Sequence, residues 1–249
     1  MYINHMKRTY TLLSIFVITL MAFTAKAQDL TPHVKSYIDF YGGVSTPLGS
    51  FGQANYANNQ AGYAKKGATF SLDAAVYVYK NLAIGATISF QDQGEMNYND
   101  ALNIATGYKN SYNDEPSDVT ANNRYHNWNI LIGPQYSFTY KRFILDLRAS
   151  AGIIKSSSTP EVQTNIEDDL TQKVAFYQNN STKTIFGYGG NVGLRYKLGD
   201  SWTFGIKGTY IDSQGLDVTS TGRTVYVGRN VTKIPITEFQ TTVGFALSF

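Results

Sequence analysis

The sequence predicts an all-β fold: a closed antiparallel up-and-down transmembrane β-barrel of eight strands, preceded by a cleaved signal peptide. Three observations carry this expectation. The N-terminus has the anatomy of an export signal, eight long segments alternate polar with apolar residues, and the connections between them alternate between short and long.

Residues 1–27 contain Lys7, Arg8 and Lys26 and no acid, and the uncharged run Thr11 to Thr24 leads into Ala25-Lys26-Ala27. A charged start, an apolar stretch of this length and a small-x-small exit make a secretory signal, with cleavage expected between Ala27 and Gln28. The run is shorter than the roughly 20 apolar residues of a membrane-spanning helix. The expected organisation is a signal peptide over 1–27 and one barrel domain over 28–249. The 249-residue chain has 21 Lys+Arg and 18 Asp+Glu; setting the three leader cations aside leaves 18 of each in the mature part. That balance argues against a nucleic-acid partner, which calls for a basic surplus. The absence of cysteine excludes disulfide frameworks, thiolate metal sites and cysteine nucleophiles. No metal and no cofactor is expected.

The segments read as strands are 36–47, 68–79, 82–93, 124–140, 143–155, 183–198, 202–213 and 232–249. The fourth sets Trp128, Ile130, Ile132, Tyr136 and Phe138 against Asn129, Gln135, Ser137 and Thr139. The fifth sets Phe143, Leu145, Leu147 and Ala149 against Asp146, Arg148 and Ser150. The seventh sets Trp202, Phe204, Ile206 and Tyr210 against Thr203, Lys207 and Thr209, and the eighth sets Phe239, Thr241, Val243, Phe245, Leu247 and Phe249 against Glu238, Gln240, Thr242 and Ser248. The others repeat the scheme with Asp39, Asp73 and Arg195 on the polar side. Short links (Lys80-Asn81, Lys141-Arg142, Gly199-Asp200-Ser201) alternate with long polar ones at 48–67, 94–123, 156–182 and 214–231. A barrel in an outer membrane has this rhythm, and its strands need about 9–11 residues to cross at a tilt. Periodicity alone does not separate it from a soluble sandwich. The signal, the strand length and the side chains beside the short turns do: the aromatics Tyr79, Tyr140, Phe143, Tyr196 and Trp202, together with aliphatic Leu82, sit where an interfacial girdle belongs. Ten strands, with a further hairpin inside a long loop, is the alternative.

Over about 36–249 these residues resemble the small eight-stranded outer-membrane barrels of Gram-negative bacteria, the family of OmpX, OmpW and the OmpA transmembrane domain. Tyr41-Gly42-Gly43 and Pro47-Leu48-Gly49-Ser50-Phe51 are similar to the first strand and loop of such proteins. The ending Val243-Gly244-Phe245-Ala246-Leu247-Ser248-Phe249 is similar to the family's membrane-insertion signal. The resemblance implies recognition of Phe245, Leu247 and Phe249 by the barrel-assembly machinery, an outer-membrane address, and lipids including lipopolysaccharide as surroundings.

Candidate functional residues fall into four groups. Seven charges lie on the lumen face: Asp39, Asp73, Asp146, Arg148, Arg195, Lys207 and Glu238. An eight-stranded lumen is just wide enough for side chains to fill it, so the near-balance of sign reads as an internal salt-bridge plug, the alternative being a narrow path for ions or small polar solutes. Arg124, His126 and Lys155 share the outward parity near the loop end of strands four and five, a cluster suited to lipid A phosphates. His126 with Asp92 offers part of an acid–base constellation, but no serine is placed to complete it, so the function is read as non-enzymatic: envelope support or surface interaction through the long loops. Enzymes that modify lipid A are a further alternative. Loops 94–123 and 156–182 are acidic, and Tyr98-Asn99-Asp100 recurs as Tyr112-Asn113-Asp114, a weak hint of cation binding. The run Gly187-Tyr188-Gly189-Gly190-Asn191-Val192-Gly193 fails as a dinucleotide loop because strand alternation continues through it. Its glycines are expected to make room for Tyr77 and Tyr79. Thr159-Pro160-Glu161 with Val162, Ile166, Leu170 and Val174 predicts a short helix at the mouth.

Overall fold

A computed structural model describes residues 34–112, 116–167, 173–221 and 229–249. The expected signal segment with its Ala27–Gln28 cleavage point, His33, and the loop acids Asp114, Glu115, Asp168 and Asp169 lie outside the described residues.

The elements run β1 (Tyr37–Pro47), α1 (Gly49–Gly52), β2 (Gly67–Tyr79), β3 (Leu82–Asp92), α2 (Tyr98–Tyr112), β4 (Pro116–Asn122), β5 (His126–Tyr140) and β6 (Phe143–Ser158). They continue with β7 (Glu161–Glu167), β8 (Lys173–Gln178), β9 (Thr184–Lys197), β10 (Trp202–Ser213), β11 (Leu216–Asp217), β12 (Ser220–Thr221), β13 (Lys233–Ile234) and β14 (Glu238–Ser248). Eight strands close the barrel in the order β1-β14-β10-β9-β6-β5-β3-β2, every neighbouring pair antiparallel. Closure pairs the first strand with the last, Tyr37 opposite Ser248 and Pro47 opposite Glu238, and removes the free edges that an open sheet would expose. The eight are the segments read from the sequence, with ends moved by a few residues. The eighth shifts most: Lys233–Ile234 leaves the barrel to pair with Leu216–Asp217, just before Pro235, which has no N–H to give a ladder.

Alternation along β14 is complete, from buried Glu238 and exposed Phe239 to exposed Leu247 and buried Ser248. The same parity holds around the barrel. Phe40, Leu72, Ile88, Ile132, Leu147, Val192, Phe204 and Phe245 are exposed, while Asp39, Asp73, Asp146, Arg148, Arg195 and Lys207 are buried. A soluble sandwich would show the reverse. An outward apolar band around a polar interior is the arrangement that lipid selects.

The three tight links share one end of the barrel with residues 34–36. Ser137 N–H donates to the Asn81 carbonyl at 3.0 Å, Lys197 N–H to that of Arg142 at 2.8 Å, and Ser248 N–H to that of Ser201 at 2.6 Å. The long connections fill the other end with structure of their own. β12-β8-β7-β4 form a four-stranded sheet, and α2 packs Ile104 and Tyr108 beside Tyr63 and Ala61. This corrects the sequence reading twice. The segment expected to be a helix after Thr159 is the strand β7, paired with β4 and β8. A spacing of four places residues on one face of a strand as well as of a helix, so Val162 and Ile166 do not distinguish the two. The helix instead stands in the 94–123 link, where Asn97 and Asp100 cap reciprocally: Asn97 N–H donates to Asp100 Oδ2 at 2.8 Å and Asp100 N–H to Asn97 Oδ1 at 3.1 Å. Asn97-x-x-Asp100 is a capping-box pattern that was legible in the sequence.

Candidate functional site

Buried apolar clusters lie toward each end of the lumen, and polar side chains fill it between them. At the turn end Val34, Tyr37, Ala75, Ala83, Ile144 and Ala246 form one buried cluster. At the loop end Phe51, Tyr125, Leu131, Ile154, Ile211 and Ile236 form another, joined by Leu216, Val218, Val231 and Ile234 from the last long connection. The Phe51 and Tyr125 rings meet edge to face at 4.9 Å, and the Tyr125 hydroxyl donates to the Gly62 carbonyl at 2.8 Å. The long connections thus cap the barrel as well as decorate it.

Between the clusters, β2, β6 and β10 bring three of the expected charges together. Arg148 forks onto Asp73, Nη1 to Oδ2 at 3.0 Å and Nη2 to Oδ1 at 2.6 Å, and Lys207 Nζ reaches the same Oδ2 at 3.0 Å. Thr87 Oγ1 donates to Asp73 at 2.6 Å, and Gln135 Oε1 accepts from Arg148 Nε and Nη2 at 3.0 and 2.6 Å. The Lys207 ammonium also lies 4.2 Å from the Tyr41 ring centroid. A second pair is linked to the first through Gln135, whose Nε2 donates to Asp146 Oδ1 at 3.3 Å: Arg195 Nε donates to Asp146 Oδ2 at 2.5 Å and Nη2 to Oδ1 at 3.0 Å, with the guanidinium 3.8 Å over the Tyr37 ring. The arginine side chains are 1% exposed, so their charges depend on these partners rather than on water.

The remaining two acids are placed differently. Asp39 lies opposite Asp73 across the β1–β2 ladder, and its Oδ1 has no partner among the described residues. Glu238 has no cationic partner among the described residues and is held by neutral donors. Ser45 Oγ (2.7 Å) and Gln93 Nε2 (2.9 Å) donate to Oε2, and Gln240 Nε2 (2.8 Å) and Asn129 Nδ2 (3.4 Å) donate to Oε1. Of the neutral members, Gln135 was named on the polar face and Tyr41 in the first-strand motif, whereas Tyr37, Thr87 and Gln93 were not singled out in the sequence. Inward parity was the signal available for them.

Glycines admit the arginines. A Cβ at Gly85 would fall 2.3 Å from the Arg148 guanidinium carbon, and one at Gly205 would meet Tyr41 and Arg195. The expectation that the Gly187–Gly193 run accommodates Tyr77 and Tyr79 is corrected. Gly187 faces Ile154, Gly189 lies against the Tyr210 carbonyl, and Gly193 faces Asp146, because the neighbours of β9 are β6 and β10.

At the loop-end rim Arg124 Nε stands 2.8 Å from Asp92 and its Nη1 3.9 Å from Glu95. His126 Nε2 lies 3.0 Å from the same Asp92 oxygen and 3.2 Å from Arg124 Nε. Lys155 is exposed opposite Trp128. Beyond the rim, Asp100 is ion-paired with Lys65 at 2.6 Å. Arg229 lies 4.6 Å over the Tyr63 ring and donates to the carbonyls of Asn55 and Ala61. Burial pushes the Tyr63 hydroxyl up to about 12, leaving it a donor to Asn103 Oδ1 at 2.7 Å, and burial lowers the Arg229 guanidinium. At the other end Phe245, Leu247 and Phe249 all project outward.

With that geometry described, comparison with known families gives a match over residues 15–244 to the outer membrane protein beta-barrel domain. The chain belongs to this outer-membrane β-barrel family. It resides in the bacterial outer membrane, so the tight turns are periplasmic and the capped loop end is extracellular. No curated protein sequence matches it significantly. Similar solved barrels include Neisserial surface protein A, 12% identical with a TM-score of 0.45 over 86% of this chain and 97% of that one. OprG from Pseudomonas aeruginosa is 12% identical with a TM-score of 0.44 over 89% and 99%. The protease OmpT from Escherichia coli is 10% identical with a TM-score of 0.40 over 90% and 99%.

Proposed function

We propose that this outer-membrane barrel is a non-enzymatic envelope protein with a sealed lumen, exported by its 1–27 leader and acting through its folded extracellular cap. The observation that carries the reading is the lumen itself. Its charges are buried, five of the seven in ion pairs, and lie between two apolar clusters. A conduit for ions needs those groups accessible, whereas a plug needs them paired and dry. The cap adds an ordered sheet and helix bearing exposed Tyr98, Leu102 and Tyr177, a surface for contact with the environment or a partner. Enzymatic chemistry is disfavoured because the His126 Nε2 is engaged by Asp92 and Arg124 rather than by a hydroxyl. Single-channel recording in planar bilayers tests the seal. The expected trace has no unitary steps, and stable steps that change size in Arg148→Met or Lys207→Met would replace this reading with the channel.

Lipopolysaccharide contact belongs to the same proposal. Lys155 is exposed beside Trp128, with His126 on the neighbouring strand and Arg124 two residues before it, and lipid A phosphates offer charge-assisted bonds to such a group. Because Asp92 and Glu95 already occupy Arg124, Lys155 is expected to contribute most. The variant Arg124→Ala/Lys155→Ala is expected to co-purify with less lipopolysaccharide while folding normally, and equal retention would remove the site. Insertion is assigned to the barrel-assembly machinery reading Phe245, Leu247 and Phe249.

A further inference from the structure

Among the described residues the periplasmic rim carries Lys35, Lys80, Lys141, Arg142 and Lys197 against a single acidic side chain, Asp200. Among the described residues none of the five cations makes an ion pair. Lys35 donates to the backbone carbonyl of Asp200 at 3.1 Å. Four of them form a continuous arc, because the β2–β3 turn is bonded to β5 through Ser137 N–H and Asn81 O, and the β5–β6 turn to β9 through Lys197 N–H and Arg142 O. The extracellular rim differs: there Arg124 and His126 share Asp92, with Glu95 close by.

Two of the periplasmic cations occupy positions that turn chemistry disfavours. Lys80 and Lys141 are the first residues of the two-residue hairpins, at φ +43° and +54°. Glycine or asparagine suits that conformation, and a Cβ-bearing lysine is strained in it. In the first hairpin Asn81 stands one place later, at ordinary φ. The backbone therefore does not favour these lysines, and what the structure shows of them is where their ammonium groups lie. Each is 5.3 Å from the ring centroid of the preceding tyrosine, Tyr79 or Tyr140. Tyr140, Phe143 and Trp202 around them are strongly exposed. Aromatic rings of this kind sit at headgroup level, and lysine and arginine stems reach from there to the phosphates.

We propose that the periplasmic rim is a binding collar for anionic phospholipid headgroups of the inner leaflet, with Lys80, Lys141 and Arg142 as its phosphate contacts. Arg142 supplies a planar fork for phosphate oxygens and the lysines supply point charges. The collar fixes the depth of the barrel from the periplasmic side, on a face separate from the lipopolysaccharide contact.

A single tryptophan beside the arc (Trp128→Phe, Trp202→Phe, Tyr140→Trp) reports local lipid in vesicles of phosphatidylcholine mixed with brominated phosphatidylglycerol or brominated phosphatidylcholine. At equal mole fraction the brominated anionic lipid is expected to quench severalfold more effectively. Lys80→Asn/Lys141→Asn/Arg142→Gln in that background is expected to bring the ratio close to one. Asparagine suits both left-handed positions, so this variant is expected to resist heat in neutral detergent at least as well as its parent. High salt on the parent gives a second readout without that triple substitution, and it too is expected to collapse the ratio, because exposed charge pairs are screened. A protein retaining only Trp128 reports the other rim, where the substitutions are expected to change nothing. Equal quenching by the two lipids in the parent, or a preference that survives both the substitutions and salt, would overturn the proposal. So would capture of soluble acidic peptidoglycan fragments by the same residues in a parent without lipid preference.

Discussion

Replacing Asp73 with alanine is expected to destabilise the barrel by about 3–5 kcal/mol, the cost of leaving a buried charge without its partner. Asp73 serves two buried cations, accepting from both nitrogens of the Arg148 fork and from Lys207. Thr87 and Gln135 still bond Arg148, but neither carries charge. Among the described residues Lys207 has no other side-chain hydrogen bond, and keeps the face of the Tyr41 ring and its Coulombic interaction with Asp39. Urea unfolding in detergent micelles, followed by the gel shift between folded and unfolded forms, measures the loss. Removing all three charges together, as Asp73→Leu/Arg148→Met/Lys207→Met, is expected to recover most of it, because apolar groups of similar volume replace a buried ion pair at little cost. A single substitution costing less than about 1 kcal/mol, the range of a solvent-exposed pair, would show that water reaches these charges, and the sealed lumen would fall with it.

The second large effect is expected on the opposite face. Ile132 is exposed near the middle of β5, and Ile132→Arg is expected to cost about 2–4 kcal/mol, the penalty for arginine facing lipid at the bilayer midplane. Leu102 on α2 is also exposed, but it stands in the extracellular cap. Leu102→Arg is expected to change stability by no more than about 0.5 kcal/mol, as for an ordinary surface position. The pair separates lipid from water as the solvent of two similarly exposed apolar side chains. Refolding into vesicles and titrating with denaturant reads both, and equal costs would contradict the membrane assignment of β5.

Much of this architecture was legible before any coordinates, and the reason is local. A strand alternates with period two, so Asp146 and Arg148 fall on the face opposite Leu145 and Leu147 whatever the rest of the chain does. The short links Lys80-Asn81 and Lys141-Arg142 leave their flanking strands no choice but to pair as hairpins. Parity and turn length therefore determined the strand count, the inward set of charges and the outward apolar band. They did not determine which charges meet. Arg148 on β6 and Asp73 on β2 are separated by β5 and β3 in the wall, and only the curvature and register of the closed barrel bring them to hydrogen-bond distance across the lumen. The same holds for Glu238, whose partners come from β1, β5 and the residue after β3 as well as from its own strand. The cap was the least legible part. Val162 and Ile166 fit a helix and a strand equally well, and β4 as a waiting partner decided for the strand. Local pattern assigns a side chain to a face, whereas a contact between residues far apart in sequence exists only once the closed sheet has fixed the distance between them.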